Sequence, residues 1–525
     1  MRHRYLIFPH PGRKFPKRWT DWLRLAVTGV LVVATAVVAP QASTIVAHVQ
    51  CRDGWPDGDV WQSGDECVGL TEGPYAFELA EFEPVMRTID AQNRQAGEQC
   101  QGTPVTVGVL LTMTDRFAGA RAVHELEGMA AGQARANGTG CLHPMRLVVG
   151  QLGAYGGSRD PVEVARRLAD RTDVVAVAGI GLSHPLSAEI ADLLADARIP
   201  MVSDLITAEG FDQSGSSADL SDFRSCDADV TYRDGIGKDH FYRVAFRGAV
   251  QVARLREAIA GRPGFIMVPI GGSDPYTCTV LPIMQREFGG DVTEVKFDQD
   301  EPSTVPQTAK RVCGAAGDVT VAYIARGRDL GRLLFSLDEA FANGQCAASS
   351  VTVLSTSDGN RLRAPELDPV LEDLRVKGLT SPSFTSGRVR LVATLVGGAD
   401  QATPDNPGFA EFEQAFTGAG FDLSHADAGW AVNAYDAVTT ISAALRTLPA
   451  NRDVQRSHVN TVISGFTSPE QAVRGAGGRI TFDNSGNRTG DGPPVVRICP
   501  MTRDAQPSRV PSVVVRAGEP PAQCP

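Results

Sequence analysis

The chain has 525 residues, of which 42% are hydrophobic and 21% are charged, and its formal net charge is −11. This length exceeds that of one ordinary hydrophobic core, so the composition predicts a globular protein of two or three domains. The acidic balance argues against a nucleic-acid-binding surface, which needs clustered Lys and Arg side chains. We therefore expect no nucleic acid among its partners.

The clearest cluster of basic residues lies at the start of the chain, mostly within residues 1–22, and the apolar stretch Leu25–Ala39 follows it. This layout is typical of an export signal, with a basic cytoplasmic stub (1–22) and a membrane segment (23–47). The strongly apolar part has 15 residues, which suits a signal peptide, whereas the uncharged stretch through Ala47 has 23 and suits a membrane span. A signal peptide and an uncleaved anchor both stay open. In either case we expect the rest of the chain to be extracytoplasmic, either anchored to the cell membrane or secreted.

All ten cysteines lie beyond this segment. An even number of cysteines on the exported side predicts disulfide bonds, and the absence of a C-x-x-C motif argues against a metal site. The simplest pairing joins cysteines that are neighbours in chain order. The predicted pairs are 51–67, 100–141, 226–278, 313–346 and 499–524.

The sequence pattern changes near Val105. Residues 48–104 are predicted to form a disulfide-closed N-terminal extension with one helical pattern, and strand-length apolar runs alternate with helical patterns after it. Strands are predicted at 105–111, 145–149, 174–178 and 199–202, and helices at 160–170, at 187–197 and around 126–133, the last of these ending in Asn137-Gly138. This alternation predicts a doubly wound parallel sheet with helices on both faces.

The alternation of strand and helix patterns resumes after a polar segment at 210–240. Helices are predicted at 249–260, 279–288 and 330–342, and strands at 265–269, 319–325 and 351–354. These elements predict a second α/β sheet of the same kind. A strand at 391–396, helices at 409–416 and 428–445, and a Pro-rich C-terminal tail at 501–525 follow.

Five segments carry a resemblance to a known family. They are Val107–Thr112 with Glu127–Asn137, Val174–Ser183, Ala197–Thr207, Phe241–Arg243, and Ala434–Val438 with Gly478–Asp483 and Gly486. Together they resemble, in order and spacing, the branched-chain amino acid (leucine/isoleucine/valine) substrate-binding proteins of ABC transporters. That family has the type I periplasmic-binding fold.

The resemblance implies two Rossmann-like lobes joined by three crossovers, with the ligand in the cleft between them. Lobe I would comprise 105–242 plus 391–478, and lobe II would comprise 243–390 plus 479–500. The crossovers would lie near 241–244, 388–392 and 479–482. In such sheets ligands bind outside the carboxyl ends of the strands, where helix N-termini offer unpaired N–H groups.

The resemblance also implies the ligand-binding residues. They are Ser183, Thr207 and the backbone atoms of Leu205 in lobe I, and Tyr276, Arg326 and Asp358 in lobe II. Arg326 stands where the family often has an aromatic residue, and Asp358 is the nearest acidic candidate after its strand. A helix-capping role for Ser183 and a solvated surface role for Arg326 stay open. Because of these departures, we expect an amino acid or a related carboxylate as the ligand.

No catalytic motif accompanies these residues. In the segment Gly181–Pro185, proline occupies the second glycine position of a G-x-S-x-G turn. The oxygen-rich segment 483–491 has Arg488 where a calcium loop requires glycine, so we expect no metal and no cofactor. The sequence therefore predicts a solute-binding protein and not an enzyme, with an ABC permease as its partner. A membrane-anchored ligand-sensing receptor ectodomain is the alternative.

Overall fold

The computed structural model describes residues 59–501 with gaps at 99, 101, 139, 156–158, 214–239, 260–263, 271–273, 290–291 and 397–405, together with 51, 509–519, 523–524 and four positions between 19 and 27. The predicted membrane segment 23–47 lies outside these residues except at positions 26 and 27, and Cys226 also lies outside them. Across the residues that are described, no helix is both long enough and apolar enough to span a bilayer.

The described residues form strands in two large sheets and one hairpin. The strands are β1 Val60–Ser63, β2 Glu66–Thr71, β3 Val105–Leu111, β4 Met145–Gln151, β5 Val174–Gly179, β6 Met201–Ser203, β7 Phe241–Arg243, β8 Phe265–Pro269, β9 Thr293–Phe297, β10 Gly317–Tyr323, β11 Ala348–Ser355, β12 Val389–Thr394, β13 Val473–Gly475, β14 Gly478–Ile480, β15 Val495–Ile498 and β16 Ser512–Val514.

Helices cover the faces of both sheets. They are α1 Glu83–Gln95, α2 Arg121–Ala136, α3 Asp160–Asp170, α4 Pro185–Asp196, α5 Gly248–Ala258, α6 Pro275–Phe288, α7 Thr304–Cys313, α8 Leu330–Ala342, α9 Pro369–Leu379, α10 Pro382–Thr385, α11 Pro407–Gly418, α12 Trp430–Thr447 and α13 Arg456–Ile463.

The first sheet has the order β1-β2-β4-β3-β5-β6-β7. Strands β4, β3, β5, β6 and β7 are parallel to one another, and β1 and β2 add an antiparallel edge beside β4. All seven residues of β3 are buried, as expected for a strand covered by helices on both faces. The predicted α/β lobe is confirmed, and its sheet is mixed rather than wholly parallel.

The second sheet has the order β16-β15-β12-β11-β10-β8-β9. Strands β12, β11, β10, β8 and β9 are parallel, and β15 and β16 pair with the edge of β12 in antiparallel fashion. Strand β16 belongs to the predicted C-terminal tail, so this tail contributes to lobe II. We predicted that lobe I resumes at residue 391, but β12 pairs within the second sheet. The chain therefore returns to lobe I only after Thr394.

The segment that we predicted as a separate N-terminal extension is integrated into lobe I. Strand β2 pairs with β4, and α1 buries Val85, Met86 and Ile89 in the core of this lobe. The extension thus completes the first sheet.

Lobe I is held together by the close packing of α12 on α2. A Cβ atom on Gly128 would lie 2.1 Å from the carbonyl oxygen of Ala431. The absence of a side chain at this position therefore lets the two helix backbones approach each other.

The disulfides follow the predicted local scheme. Four of the predicted pairs, 51–67, 100–141, 313–346 and 499–524, are present. Cys278 is also disulfide-bonded, and its predicted partner Cys226 lies outside the described residues. Such bonds form and persist in oxidising compartments, which agrees with the extracytoplasmic prediction.

Candidate ligand site between the two lobes

A cavity of about 470 Å³ lies between the carboxyl ends of the two sheets. Lobe I contributes loops after β3, β4 and β5, and lobe II contributes loops after β8, β9 and β10. The lining residues are Thr114, Asp115, Arg116, Phe117, Ala154, Tyr155, Leu182, Ser183, His184, Pro185, Ile270, Asp274, Gln299, Asp300 and Arg326. This is the position at which parallel α/β sheets bind ligands.

The turn that carries Ser183 has an unusual backbone. Gly179, Ile180 and Gly181 have φ angles of 92°, 85° and 75°, which place three successive residues in left-handed conformations. For a β-branched residue such as Ile180, a left-handed conformation is sterically unfavourable by on the order of 1–3 kcal/mol, and such strain is found mostly at functional sites. A Cβ atom on Gly181 would lie 2.5 Å from the hydroxyl of Tyr155, so glycine also lets the turn pass close to the cavity wall.

Ser183 connects two loops of lobe I and contacts lobe II. Its Oγ accepts hydrogen bonds from the backbone N–H groups of Thr207 and Ala208, both at 3.3 Å. Its carbonyl oxygen accepts a bond of 2.8 Å from Nη2 of Arg326 in lobe II. Since the two N–H groups use its acceptor capacity, the Ser183 hydroxyl proton is available for a ligand acceptor.

Arg326 is the main cationic group of the cavity, and it is 6% exposed. Its Nη2 lies 2.9 Å from Oδ1 of Asp274, and its guanidinium carbon lies 4.7 Å from the ring centre of Tyr276. Burial alone would lower the pKa of Arg326, but Asp274 and Asp358 raise it. The guanidinium therefore stays charged between the lobes and is held by one carboxylate and one aromatic face.

Lobe II also supplies an amide without a partner. The Nε2 atom of Gln299 is buried and has no hydrogen-bond partner among the residues that the structure describes. A buried donor without a partner costs free energy, so this nitrogen is suited to donate to a ligand acceptor. Beside it, Arg116 of lobe I forms an exposed ion pair with Asp300 of lobe II.

The opposite wall of the cavity is aromatic. The ring of Tyr155 stacks on His184 with centroids 4.2 Å apart, and the Tyr155 hydroxyl lies 2.8 Å from Oγ of Ser187. Burial lowers the pKa of His184 to about 4, so its imidazole is neutral at pH 7. His184 caps helix α4 by accepting a bond from Leu186 N–H. This wall offers a flat, uncharged surface to a ligand.

Additional buried polar groups lie in lobe I, where Arg121 is close enough to interact electrostatically with Arg326 and Asp358 of lobe II. Arg121 Nε is 3.1 Å from Glu125 Oε1, and Asn433 Nδ2 donates to the carbonyl oxygen of Asp204 at 2.9 Å. In the described part of the chain, Arg121 Nη2, Asp204 Oδ2 and Asn433 Oδ1 have no hydrogen-bond partner. Burial raises the pKa of Asp204 to about 7. These unsatisfied groups suit a polar ligand or water between the lobes.

The structure brings four of the six predicted site residues together. Ser183 and Arg326 line the cavity, whereas Thr207 and Tyr276 lie directly behind them. The hydroxyl of Tyr276 is hydrogen-bonded to Thr356, and burial raises its pKa well above the usual range.

The other two predicted residues have supporting positions. Asp358 accepts a bond of 3.3 Å from Gly327 N–H and so braces the loop that carries Arg326. Leu205 packs in an apolar cluster with Ala245 and Trp430. Neither residue is among those that line the cavity.

Sequence reasoning missed Asp274 and Gln299 on the lobe II wall. Asp274 caps helix α6 by accepting bonds from Tyr276 N–H at 3.0 Å and Thr277 N–H at 3.4 Å. An aspartate directly before a proline is a recognisable helix start, so this residue carried a usable sequence signal. Gln299 follows β9, a strand that the sequence analysis did not predict, and no local signal identified it.

The chain is similar to solved solute-binding proteins in fold but not in sequence. No family model matches the chain, and no curated protein matches it. A branched-chain amino acid transporter substrate-binding protein from Streptococcus pneumoniae, in complex with isoleucine, aligns with a TM-score of 0.54 at 13% identity over 78% of this chain and 99% of its own. A solute-binding protein from R. palustris, in complex with 4-hydroxybenzoate, gives 0.53 at 15% identity, over 79% and 98%. A type 1 periplasmic binding protein from Bordetella pertussis gives 0.54 at 13% identity, over 78% and 100%.

Many of the matching structures are branched-chain amino acid ABC transporter substrate-binding proteins. Their alignment with this chain confirms the fold resemblance seen in the sequence. The two mixed α/β lobes of the described residues have the type I periplasmic-binding fold.

Proposed function

We propose that this chain is an extracytoplasmic solute-binding protein that captures a small polar ligand, an amino acid or a related carboxylate, between its two lobes. The observation that carries the proposal is the cavity of about 470 Å³, whose wall is formed by both lobes. The proposed activity is binding rather than catalysis, since the fold is shared with proteins named for substrate binding.

The polar groups of the cavity support a ligand that carries a carboxylate. Arg326 and the amide of Gln299 face this site from lobe II, and the Ser183 hydroxyl can donate from lobe I. Guanidinium and amide donors pair well with carboxylate oxygens. Asp115 of lobe I and Asp274 of lobe II also line the cavity and would accept bonds from an ammonium group. An amino acid would use both sets of groups, whereas a simple carboxylate would use the donors alone.

The bonds between the lobes support a clamshell mechanism. Arg326 reaches the carbonyl of Ser183 at 2.8 Å, and Arg361 of lobe II reaches the carbonyl of Phe117 at 2.7 Å. These bonds exist only when the lobes are close together. A ligand that contacts both walls would stabilise the closed arrangement, because only this arrangement provides its complete set of contacts.

A thermal-shift screen of amino acids and of aliphatic and aromatic carboxylates tests the proposal. A bound compound stabilises the folded protein by RT ln(1 + [L]/Kd), and this stabilisation raises the melting temperature. Calorimetry of the best compound should then show that Gln299→Ala weakens binding about tenfold or more, as for a lost hydrogen bond to a charged group. Gln285→Ala, at an exposed glutamine of α6, is the matched control. No stabilising compound in the screen, or equal affinity of both variants, would contradict the proposed site.

For the physiological role, we propose delivery of the ligand to an ABC importer. A ligand-sensing receptor is the second candidate, favoured by the basic and apolar N-terminal sequence without a clean cleavage site. Uptake of the radiolabelled compound in cells that lack the chain separates the two roles. Lost uptake supports the importer, whereas unchanged uptake with a lost transcriptional response supports the receptor.

A further inference from the structure

Two histidines and a glutamate meet in lobe I outside the inter-lobe cavity. His124 and Glu127 lie on α2 at a spacing of three residues, which places both on one face of the helix. His425 belongs to the short 3₁₀ helix Leu423–Ala426 that precedes α12. One potential ligand atom from each of the three residues lies within 4.8 Å of the others. None of them lines the cavity described above.

The contacts within this cluster leave one nitrogen unsatisfied. His425 Nδ1 lies 2.8 Å from Oε2 of Glu127. His124 is 3% exposed, and its Nδ1 has no hydrogen-bond partner among the described residues. A buried imidazole nitrogen without a partner is costly, so its presence calls for a ligand that the protein itself does not supply.

The charges around the cluster favour a cation. The carboxylates of Glu127, Asp422 and Asp427 lie close enough to His425 to interact with it electrostatically. Their negative charge would compensate the positive charge of a metal ion held by the imidazoles.

We propose that His124, Glu127 and His425 bind a divalent transition-metal ion, and that Zn²⁺ is the ion that these donors fit best. Two imidazoles and one carboxylate form a known three-ligand set for zinc, with a fourth position open to water or substrate. The side chain of His425 is 33% exposed, which gives the ion a path from solvent.

Metal binding requires a local rearrangement of one ring. The rings of His124 and His425 are stacked with centroids 4.3 Å apart and planes at 17°. Their in-plane lone pairs therefore lie in two nearly parallel planes and do not converge on one point. Zinc ligands at about 2.0–2.1 Å must lie within roughly 3.3 Å of each other in a tetrahedral site. Rotation of His425, the more exposed ring, would bring its nitrogen to this distance.

The test uses the untagged full-length protein with ZnCl₂ as the probe, because a polyhistidine tag would bind zinc itself. After chelator treatment, equilibrium dialysis and elemental analysis should show one zinc per chain. Cobalt(II) should give the visible absorption bands of a tetrahedral nitrogen and oxygen site. His425→Ala and Glu127→Gln should each weaken zinc binding at least 100-fold. Exposed positions His458→Ala and Glu413→Gln are matched controls, and both should retain wild-type zinc affinity.

Two outcomes would overturn the proposal. The first is no stoichiometric zinc binding by the full-length protein. The second is equal zinc affinity in His425→Ala and His458→Ala, which would show adventitious surface binding. Circular dichroism of each variant verifies folding, and the partly exposed His425 keeps the test valid if substitution of buried His124 prevents folding. The test is independent of the solute-binding proposal, since it requires no organic ligand.

Discussion

Arg243 provides a sharp test of how the two lobes are joined. It ends strand β7, at the first crossover, and its side chain is fully buried. Nε donates to Oδ1 of Asn487 at 2.7 Å, and Nη1 donates to the carbonyl of Ala208 at 2.7 Å. Nη2 lies 3.8 Å from the buried carboxylate of Asp212. The guanidinium thus links the end of β7, the loop after β6 and the segment between β14 and β15.

Arg243→Ala should lower the free energy of unfolding by about 3–5 kcal/mol, because it removes a buried cation and leaves the carbonyl of Ala208 and Oδ1 of Asn487 without this donor. Arg243→Lys should lose less, since a lysine retains the charge but lacks the planar fork that reaches two acceptors. Arg247→Ala is the matched control. Its side chain is 35% exposed, and its partner Glu209 at 3.2 Å also accepts a bond from Ala249 N–H, so the loss of Arg247 should cost clearly less than the loss of the fully buried Arg243.

Urea denaturation followed by both fluorescence and circular dichroism measures these differences, and coincident transitions show whether a two-state analysis applies. The reasoning is refuted if Arg243→Ala loses no more stability than Arg247→Ala. Such a result would mean that the crossovers are not held together by the buried guanidinium.

Three further predictions concern stability and covalent structure. Burial raises the pKa of Asp436 from 3.8 to about 6 in the folded protein, so the protonated carboxyl stabilises the fold below pH 4 and this stabilisation is lost as the pH rises to 6. In pH-dependent urea titrations, the stability of the wild type relative to Asp436→Asn should fall by about 3 kcal/mol over this interval. Parallel stability curves of the two proteins would contradict this prediction. Arg456 donates hydrogen bonds to four backbone carbonyls, which lie at the ends of α3 and α4 and at the start of β5. Arg456→Ala should therefore lower the free energy of unfolding by about 1–3 kcal/mol in the same assay, and an unchanged stability would refute its anchoring role. Alkylation of the denatured, unreduced protein should label none of the ten cysteines, and quantitative labelling would contradict the extracytoplasmic assignment.

The sequence predicted most of the fold because its central strands are continuous apolar runs. The predicted strand at 105–111 coincides with β3, and that at 265–269 coincides with β8. Strand β9 was missed because it alternates exposed and buried residues over only five positions. Helix α7, which follows it, was missed as well. A short edge strand of this kind is specified by its pairing with β8 rather than by its own sequence.

The candidate site was predictable only in part. Ser183 was predicted from the family resemblance, and its position directly after a buried strand agrees with its place at the cavity. Arg326 follows the strand β10 in the same way. Gln299 could not be found from the sequence, because the chain brings it to the wall only through β9. Leu205 and Asp358 follow predicted strands too, but side-chain packing decides whether such residues reach the cavity, and it directs these two elsewhere.

Small-angle X-ray scattering tests the central claim, ligand-driven closure of two lobes, most directly. The protein lacking residues 1–50 should be measured alone and when saturated with the compound identified by the thermal-shift screen. We expect the radius of gyration to fall on saturation and the bound profile to match the arrangement in which Arg326 contacts Ser183. An unchanged profile at confirmed saturation would contradict the clamshell account.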